Sequence, residues 1–191
     1  MAPRRDPVQA PCRTECRRTI DAFIRRPANG ARIGFFTRHG NFGLMIPTTN
    51  DSSFQVSTDR TRLDVPMIYR FLSENSTWAV GISRSVVESA IENSLCFGGY
   101  LDGRQVAFAR VVTDYATYAN LVDVFVVPEY RGRGYGKQLI RVVMEHPSLQ
   151  NLRRFTLNTS DAHSLYERFG FTTPKRPETY MERYFPSIYL T

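Results

Sequence analysis

The chain is expected to fold as an α/β domain with a mixed, mostly antiparallel central sheet and one parallel strand-helix-strand crossover, on the strength of three features. Two amphipathic helical stripes come first, over 65–72 and 86–91. A hairpin follows, with Asp102-Gly103 between two apolar runs. An apolar strand, a glycine-bearing helix start and a second strand then stand in the order of a right-handed parallel crossover. No internal repeat interrupts this order.

In chain order, Phe54, Val56 and Thr58 mark a short first strand. Val65, Ile68, Tyr69 and Leu72 recur at i, i+3, i+4 and i+7 behind Asp64, whose carboxylate suits an N-cap. A polar break at 74–78 holds the single tryptophan, Trp78. Val86, Val87, Ala90 and Ile91 form the second stripe behind Ser83. Strands at 95–101 and 104–114 meet at the Asp-Gly pair, which tolerates the positive φ angles of a two-residue turn. The β-branched run 121–127 is the next strand. The helix 134–145 presents Leu139, Ile140, Val143 and Met144 on one face, and Pro147 stops it. Residues 155–158 form a further strand. Ala162, Leu165, Tyr166 and Phe169 mark a last helix closed by Gly170, and 179–185 is expected to add a final strand.

Composition bounds the function. With 191 residues and 42% hydrophobic content, one domain can bury a sizeable core. No apolar run approaches the roughly 18 residues of a membrane span, and no apolar leader opens the chain, so a cytoplasmic protein without a membrane partner is expected. Cys12, Cys16 and Cys96 are too few for a zinc site, and reduced thiols with no metal are expected. The net charge of +7 lies mostly in residues 1–44, with nine arginines against three acids, while the remainder holds 16 basic and 15 acidic residues. Residues 1–50 scatter proline, glycine and arginine without a helical or strand period and read as a disordered basic tail before a domain at 51–191. Asp6, Glu15 and Asp21 argue against a transit segment, and the change of composition makes Met45 a candidate internal start. Basic charge in a tail, rather than on a folded face, argues against a nucleic-acid partner.

The chemistry concentrates in VVPEYRGRGYGK at 126–137, where a strand ends at Pro128 and delivers three alternating glycines to a helix start. Backbone N–H groups at such a start approach an anion closely, and the helix dipole adds partial positive charge, which suits a pyrophosphate. A Walker A loop would need glycine at Arg131 and Ser or Thr at Gln138, and the dinucleotide fingerprint needs G-x-G-x-x-G where Gly132, Gly134 and Gly136 alternate. Arg131-x-x-Gly134-x-Gly136 instead resembles the R/Q-x-x-G-x-G/A motif of the GNAT superfamily of acyl-CoA-dependent N-acetyltransferases. The preceding VFVVPEYRG at 124–132 resembles that family's strand and loop, and LYERFGF at 165–171 resembles its L-Y-x-x-x-G-F signature. The resemblance covers about residues 54–185 and implies the GNAT acyltransferase fold.

The resemblance implies acetyl-CoA as co-substrate, its pyrophosphate on the backbone of Arg131, Gly132, Arg133, Gly134, Tyr135 and Gly136, with charge from Arg131, Arg133 and Lys137. Val124 and Val126 would pair with the pantetheine arm between splayed parallel strands. Thr159 stands where the family usually places a cofactor-contacting asparagine, with Asn158 beside it. Tyr166 occupies the position of the general acid at the departing sulfur. An alkyl amine with pKa about 10.4 must lose a proton before attack. Asp123, which interrupts an apolar strand, is either that base or a carboxylate that sits at a solvated strand end or is paired structurally; Glu74 and Asp114 are weaker candidates, His163 is a capping or surface residue or a base, and water relays can replace all of them. A small-molecule amine acceptor is preferred to a peptide because no acidic cluster stands ready for a cationic chain. Phe71, Trp78, Tyr180, Tyr184 and Tyr189 lie on the segments expected to form its pocket. A non-catalytic acyl-CoA-binding or sensing domain is the alternative, and the family's habit allows a homodimer.

Overall fold

Strand pairing follows chain order through the whole sheet: β1 (Ile46–Pro47), β2 (Phe54–Ser57), β3 (Leu95–Leu101), β4 (Arg104–Thr113), β5 (Tyr118–Val126) and β6 (Arg154–Leu157). The computed structural model describes residues 54–190 and the backbone of 46–47, all in the part of the chain from Gly40 onward. The expectations for the tail, Met45, Cys12 and Cys16 lie outside the described residues. Strands β1 to β5 pair antiparallel, and β6 runs parallel to β5. The crossover between them carries α3 (Tyr135–Glu145). The mixed sheet and its crossover are therefore as the pattern of elements implied.

Local chemistry explains most boundaries. Asp64 caps α1 (Val65–Arg70) by accepting from the Met67 N–H at 3.0 Å. A π-turn over Phe71–Asn75 continues it until Ser76, whose hydroxyl donates to the Leu72 carbonyl and accepts from the Ala79 N–H. In α2 (Arg84–Glu92) Val87 and Ile91 are buried while Val86 is largely exposed, a narrower stripe than expected. Ser83 makes no side-chain cap bond. Asp102 (φ 49°) and Gly103 (φ 80°) both take the left-handed region that a type I′ turn requires. At the next turn the Asp114 carboxylate accepts from the N–H groups of Thr117, Ala116 and Tyr118 and from the Thr117 hydroxyl, which holds it far below the usual carboxylate range. Asp114 thus serves the turn, and β5 begins at Tyr118, three residues earlier than expected.

The sheet buries both faces. Phe97, Val106, Ala109, Val111 and Leu121 pack with Leu139, Ile140 and Val143 of α3, whereas Cys96, Phe108 and Phe125 pack under Ile68, Leu72, Val87 and Ile91 of α1 and α2. Helix α4 (His163–Glu167) joins the α3 side through Tyr166. The final strand expected at 179–185 does not form: Pro177–Thr179 is one 3-10 turn, and Tyr180, Met181, Tyr184 and Phe185 are exposed. Pro177 and Pro186 remove ladder donors around this stretch, and β6, only four residues long, gives it a short edge to pair with. No helix among the described residues is long and apolar enough to cross a membrane.

Candidate functional site

A phase change in β5 creates the site. Side chains two apart on a regular strand share a face, yet Leu121 packs toward α3 and Phe125 toward α1 and α2. The extra residue needed for that switch lies between them. Phe108 pairs with Phe125 and Arg110 with Val122, so Ala109 spans two residues of β5, and Asp123 takes φ 53° at this bulge. The parallel pairing of β5 with β6 ends at Leu121 and Leu157, so the two strands part at the same level.

Asp123 is held from two sides. Its Oδ2 accepts from Arg110 Nε at 2.8 Å and its Oδ1 from Trp78 Nε1 at 3.1 Å, while Arg110 Nη1 donates to Ser94 Oγ at 2.9 Å. The two charged side chains are only 13% and 17% exposed. The structure therefore realises the paired carboxylate that stood beside base chemistry as a reading of Asp123. Arg110 and Ser94 were missed in the sequence. The available signal was Arg110 itself, a lone charge in an apolar strand, nearly opposite Asp123 when counted back from the 114–117 turn.

Beyond β5 the loop is shaped for an anion. Gly132 (φ 77°) and Gly134 (φ 85°) adopt conformations that disfavour side chains, and a Cβ at either would meet no protein atom within 4 Å. The room they leave lies at the start of α3, where Gly134 supplies no side-chain cap and the first-turn N–H groups point out of the helix. A pyrophosphate fits this donor set. The Tyr135 side chain turns inward and stacks on Phe54 at 4.5 Å, which fixes the helix start. Arg131 Nε donates to the Val126 carbonyl at 2.9 Å, tying the loop to the strand end, and the Arg133 guanidinium stands 5.8 Å from the Tyr130 ring. Lys137 is exposed on the first turn of α3.

Across the strand gap, Thr159 Oγ1 accepts from the Ala162 N–H at 3.0 Å and shapes the entry to α4. Tyr166 is buried, with its ring edge-on to Phe171 at 6.1 Å. Burial first, and the nearby Asp161 charge second, push its phenol up, so it keeps its proton at neutral pH. Asn158, His163 and Glu74 are exposed.

On the α1 and α2 side, against the bulge, lies a cavity of about 180 Å³. Ile68, Leu72, Ile82, Val87, Ile91 and Phe108 supply apolar wall, and Trp78, Arg110, Asp123 and Tyr189 supply its polar groups. Of the aromatics expected at an acceptor pocket, Trp78 and Tyr189 are there. Phe71 is stacked on Phe125 at 3.7 Å instead, and Tyr180 and Tyr184 are exposed away from the lining.

A family model described as an acetyltransferase (GNAT) domain matches residues 92–173. A candidate acetyltransferase of Gibberella zeae is 31% identical over an alignment of 135 positions that covers 59% of this chain and 75% of that protein. The chain belongs to the GNAT acetyltransferase family. A crystal structure of a candidate GNAT acetyltransferase from Xanthomonas campestris is 59% identical, covers 72% of this chain and 97% of its own, and superposes with TM-score 0.71. N-acetylglutamate synthase of Neisseria gonorrhoeae, solved with coenzyme A and L-arginine, shares the fold at 17% identity and TM-score 0.55, over 69% of this chain and 30% of its own. In this GNAT acetyltransferase the matched segment contains the glycine loop, the bulge and Tyr166. The α1 and α2 walls of the cavity precede it.

Proposed function

We propose that this GNAT acetyltransferase, with residues 51–191 as its catalytic domain, moves the acetyl group of acetyl-CoA to the primary amine of a small molecule by direct transfer in a ternary complex. The observation that carries the proposal is the parting of β5 and β6 at the Asp123 bulge, between an anion-ready loop and a buried, protonated Tyr166. Acetyl-CoA would place its pyrophosphate over the N–H groups at 131–136, with Arg131, Arg133 and Lys137 adding positive charge. Its arm would follow Val124 and Val126, with Thr159 on the opposite side.

The acceptor loses one proton to water and its lone pair forms the nitrogen–carbon bond as the carbon–sulfur bond breaks. In balance, an ammonium and a thioester become an amide, a thiol and one released proton. A departing thiolate whose conjugate acid has pKa about 8.5 does not take a phenol's proton outright against about 10, but a Tyr166 hydrogen bond strengthens as charge grows on sulfur. Asp123, whose two oxygens already accept, acts by holding the bulge and receiving the amine end. Calorimetry with acetyl-CoA, coupled to thiol release over a panel of primary amines, tests the proposal. Amine-dependent release is expected. Binding without release would favour an acyl-CoA sensor, and absence of binding would remove the co-substrate assignment.

A further inference from the structure

Resting on that acetyl-transfer reading, we infer that the acceptor is a small monoamine whose body is a single ring or a branched alkyl group, docked in the α1/α2 cavity with its ammonium at Asp123. Size sets the first limit. The cavity of about 180 Å³ slightly exceeds the roughly 150 Å³ of an apolar cavity that holds benzene, so it seats one ring, and a longer body would extend past the exposed Trp78 and Val86 into solvent.

Charge sets the second limit. Among the described residues, Arg110 and Asp123 are the only charged side chains in the lining, and they are already paired with each other. An ionised carboxylate has about four acceptor sites, and Asp123 uses two, leaving capacity for one ammonium. A second ammonium, as on a polyamine, an aminoglycoside or a lysine-rich peptide, would meet Ile82, Val87 and Ile91 with no partner, which is strongly unfavourable. Closure sets the third. Gly81 has φ 79°, and a Cβ there would lie 2.5 Å from the Tyr189 carbonyl, so the segment bearing Tyr189 seats backbone to backbone on the 79–82 loop and puts that residue in the cavity wall. Most of these walls come from residues before 92, outside the segment that the family model matches.

Trp78 is the sole tryptophan and lines the cavity, so its fluorescence reads occupancy directly. The full chain is titrated with 2-phenylethylamine, its neutral isostere 2-phenylethanol, and the diamine putrescine, and thiol release from acetyl-CoA is followed with both amines. Phenylethylamine is expected to shift Trp78 emission and to bind at least about ten-fold more tightly than either comparison, the loss of one charge-assisted contact or the addition of an unpaired cation. Ala90→Phe, which fills the cavity from α2, removes the response. Val86→Glu, at a largely exposed lining position, adds a second anion without touching the core and is expected to raise putrescine affinity about ten-fold. A silent Trp78 with phenylethylamine, putrescine binding as well as phenylethylamine to the wild type, or no putrescine gain in Val86→Glu overturns the inference. A selective Trp78 response with no thiol release from either amine leaves the docking inference standing and removes the acetyl-transfer reading.

Discussion

Replacing Asp123 by alanine strikes the ion pair and the bulge together, and their contributions can be separated. Removing one partner of a buried pair costs about 3–5 kcal/mol. Here both side chains keep slight exposure and Arg110 retains Ser94, which brings that part down to roughly 2–3 kcal/mol. Alanine at φ 53° adds about 1 kcal/mol, because a Cβ without a local polar group is disfavoured in the left-handed region. The sum, about 3–4 kcal/mol, is a large part of the 5–15 kcal/mol that holds a typical domain together.

Glycine relieves the backbone part but not the pair, and should lie about 1 kcal/mol above alanine in stability. Asparagine tolerates the same φ and keeps an acceptor for Trp78, so only the charge is lost, at about 1–2 kcal/mol. The expected order of stability is therefore wild type, Asp123→Asn, Asp123→Gly, Asp123→Ala, read from urea unfolding at pH 7 with a constant m value. Arg110→Met added to Asp123→Ala should cost much less than it does alone, since the stranded cation is gone. Asp123→Ala within about 1 kcal/mol of wild type would refute the claim that the pair holds the bulge. Glycine no better than alanine would refute the backbone part.

Tyr166→Phe is expected to lower turnover by about 10²–10⁴-fold with acetyl-CoA affinity nearly unchanged, and an unaltered turnover across the pH profile would end the acid assignment. Gly134→Ala should cost about 1–2 kcal/mol of stability from φ 85° alone, since its Cβ meets no protein atom, yet lower acetyl-CoA affinity at least about ten-fold in calorimetry by filling the cradle. Burial, partly opposed by the Arg62 guanidinium 4.2 Å above the ring, pushes the Tyr100 phenol up to about 12. Because that exceeds the unfolded value of about 10, the stabilisation is whole below pH about 10 and is lost as pH rises toward about 12. Tyr100→Phe should flatten this alkaline loss. It should also stabilise the protein by about 1–2 kcal/mol at pH 7, because the buried hydroxyl has no hydrogen-bond partner among the described residues; equal or lower stability in urea titrations would show that the hydroxyl is satisfied.

What was legible in the sequence is what neighbouring residues decide. Asp64 before an apolar stripe, Asp102-Gly103 between two strands, and alternating glycines before α3 each state a backbone conformation through their own chemistry. The bulge does not announce itself in that way. Both faces of β5 are buried, so 121–127 is apolar at nearly every position, and a change of phase leaves no break in a pattern that has no alternation to break. Asp123 was its only trace, and the meaning of that residue depended on Arg110 in another strand. The aromatic-rich run 179–185 erred in the opposite direction, since its residue types suit a strand locally while pairing is decided by an edge elsewhere.

The same distinction separates the two halves of the site. The donor side is made of backbone: positive φ angles at Gly132 and Gly134, open N–H groups at a helix start, and a strand gap beyond Leu121. Those demands restrict residue identity tightly, so they survive as motifs. The proposed acceptor side is a residue of packing, the space left where the α1 and α2 side chains fail to fill the volume over Phe108 and the ion pair. Ile68, Leu72, Val87 and Ile91 announce a buried face through their spacing, but the same spacing would serve a filled core as well as a cavity. On the proposed reading, donor chemistry is carried by a short signature while acceptor choice depends on the volume left by a few wall residues. If the proposed amine docking holds, Ala90 and Val86, rather than any residue of the glycine loop, are the positions at which a change of one side chain should redirect which amine is acetylated.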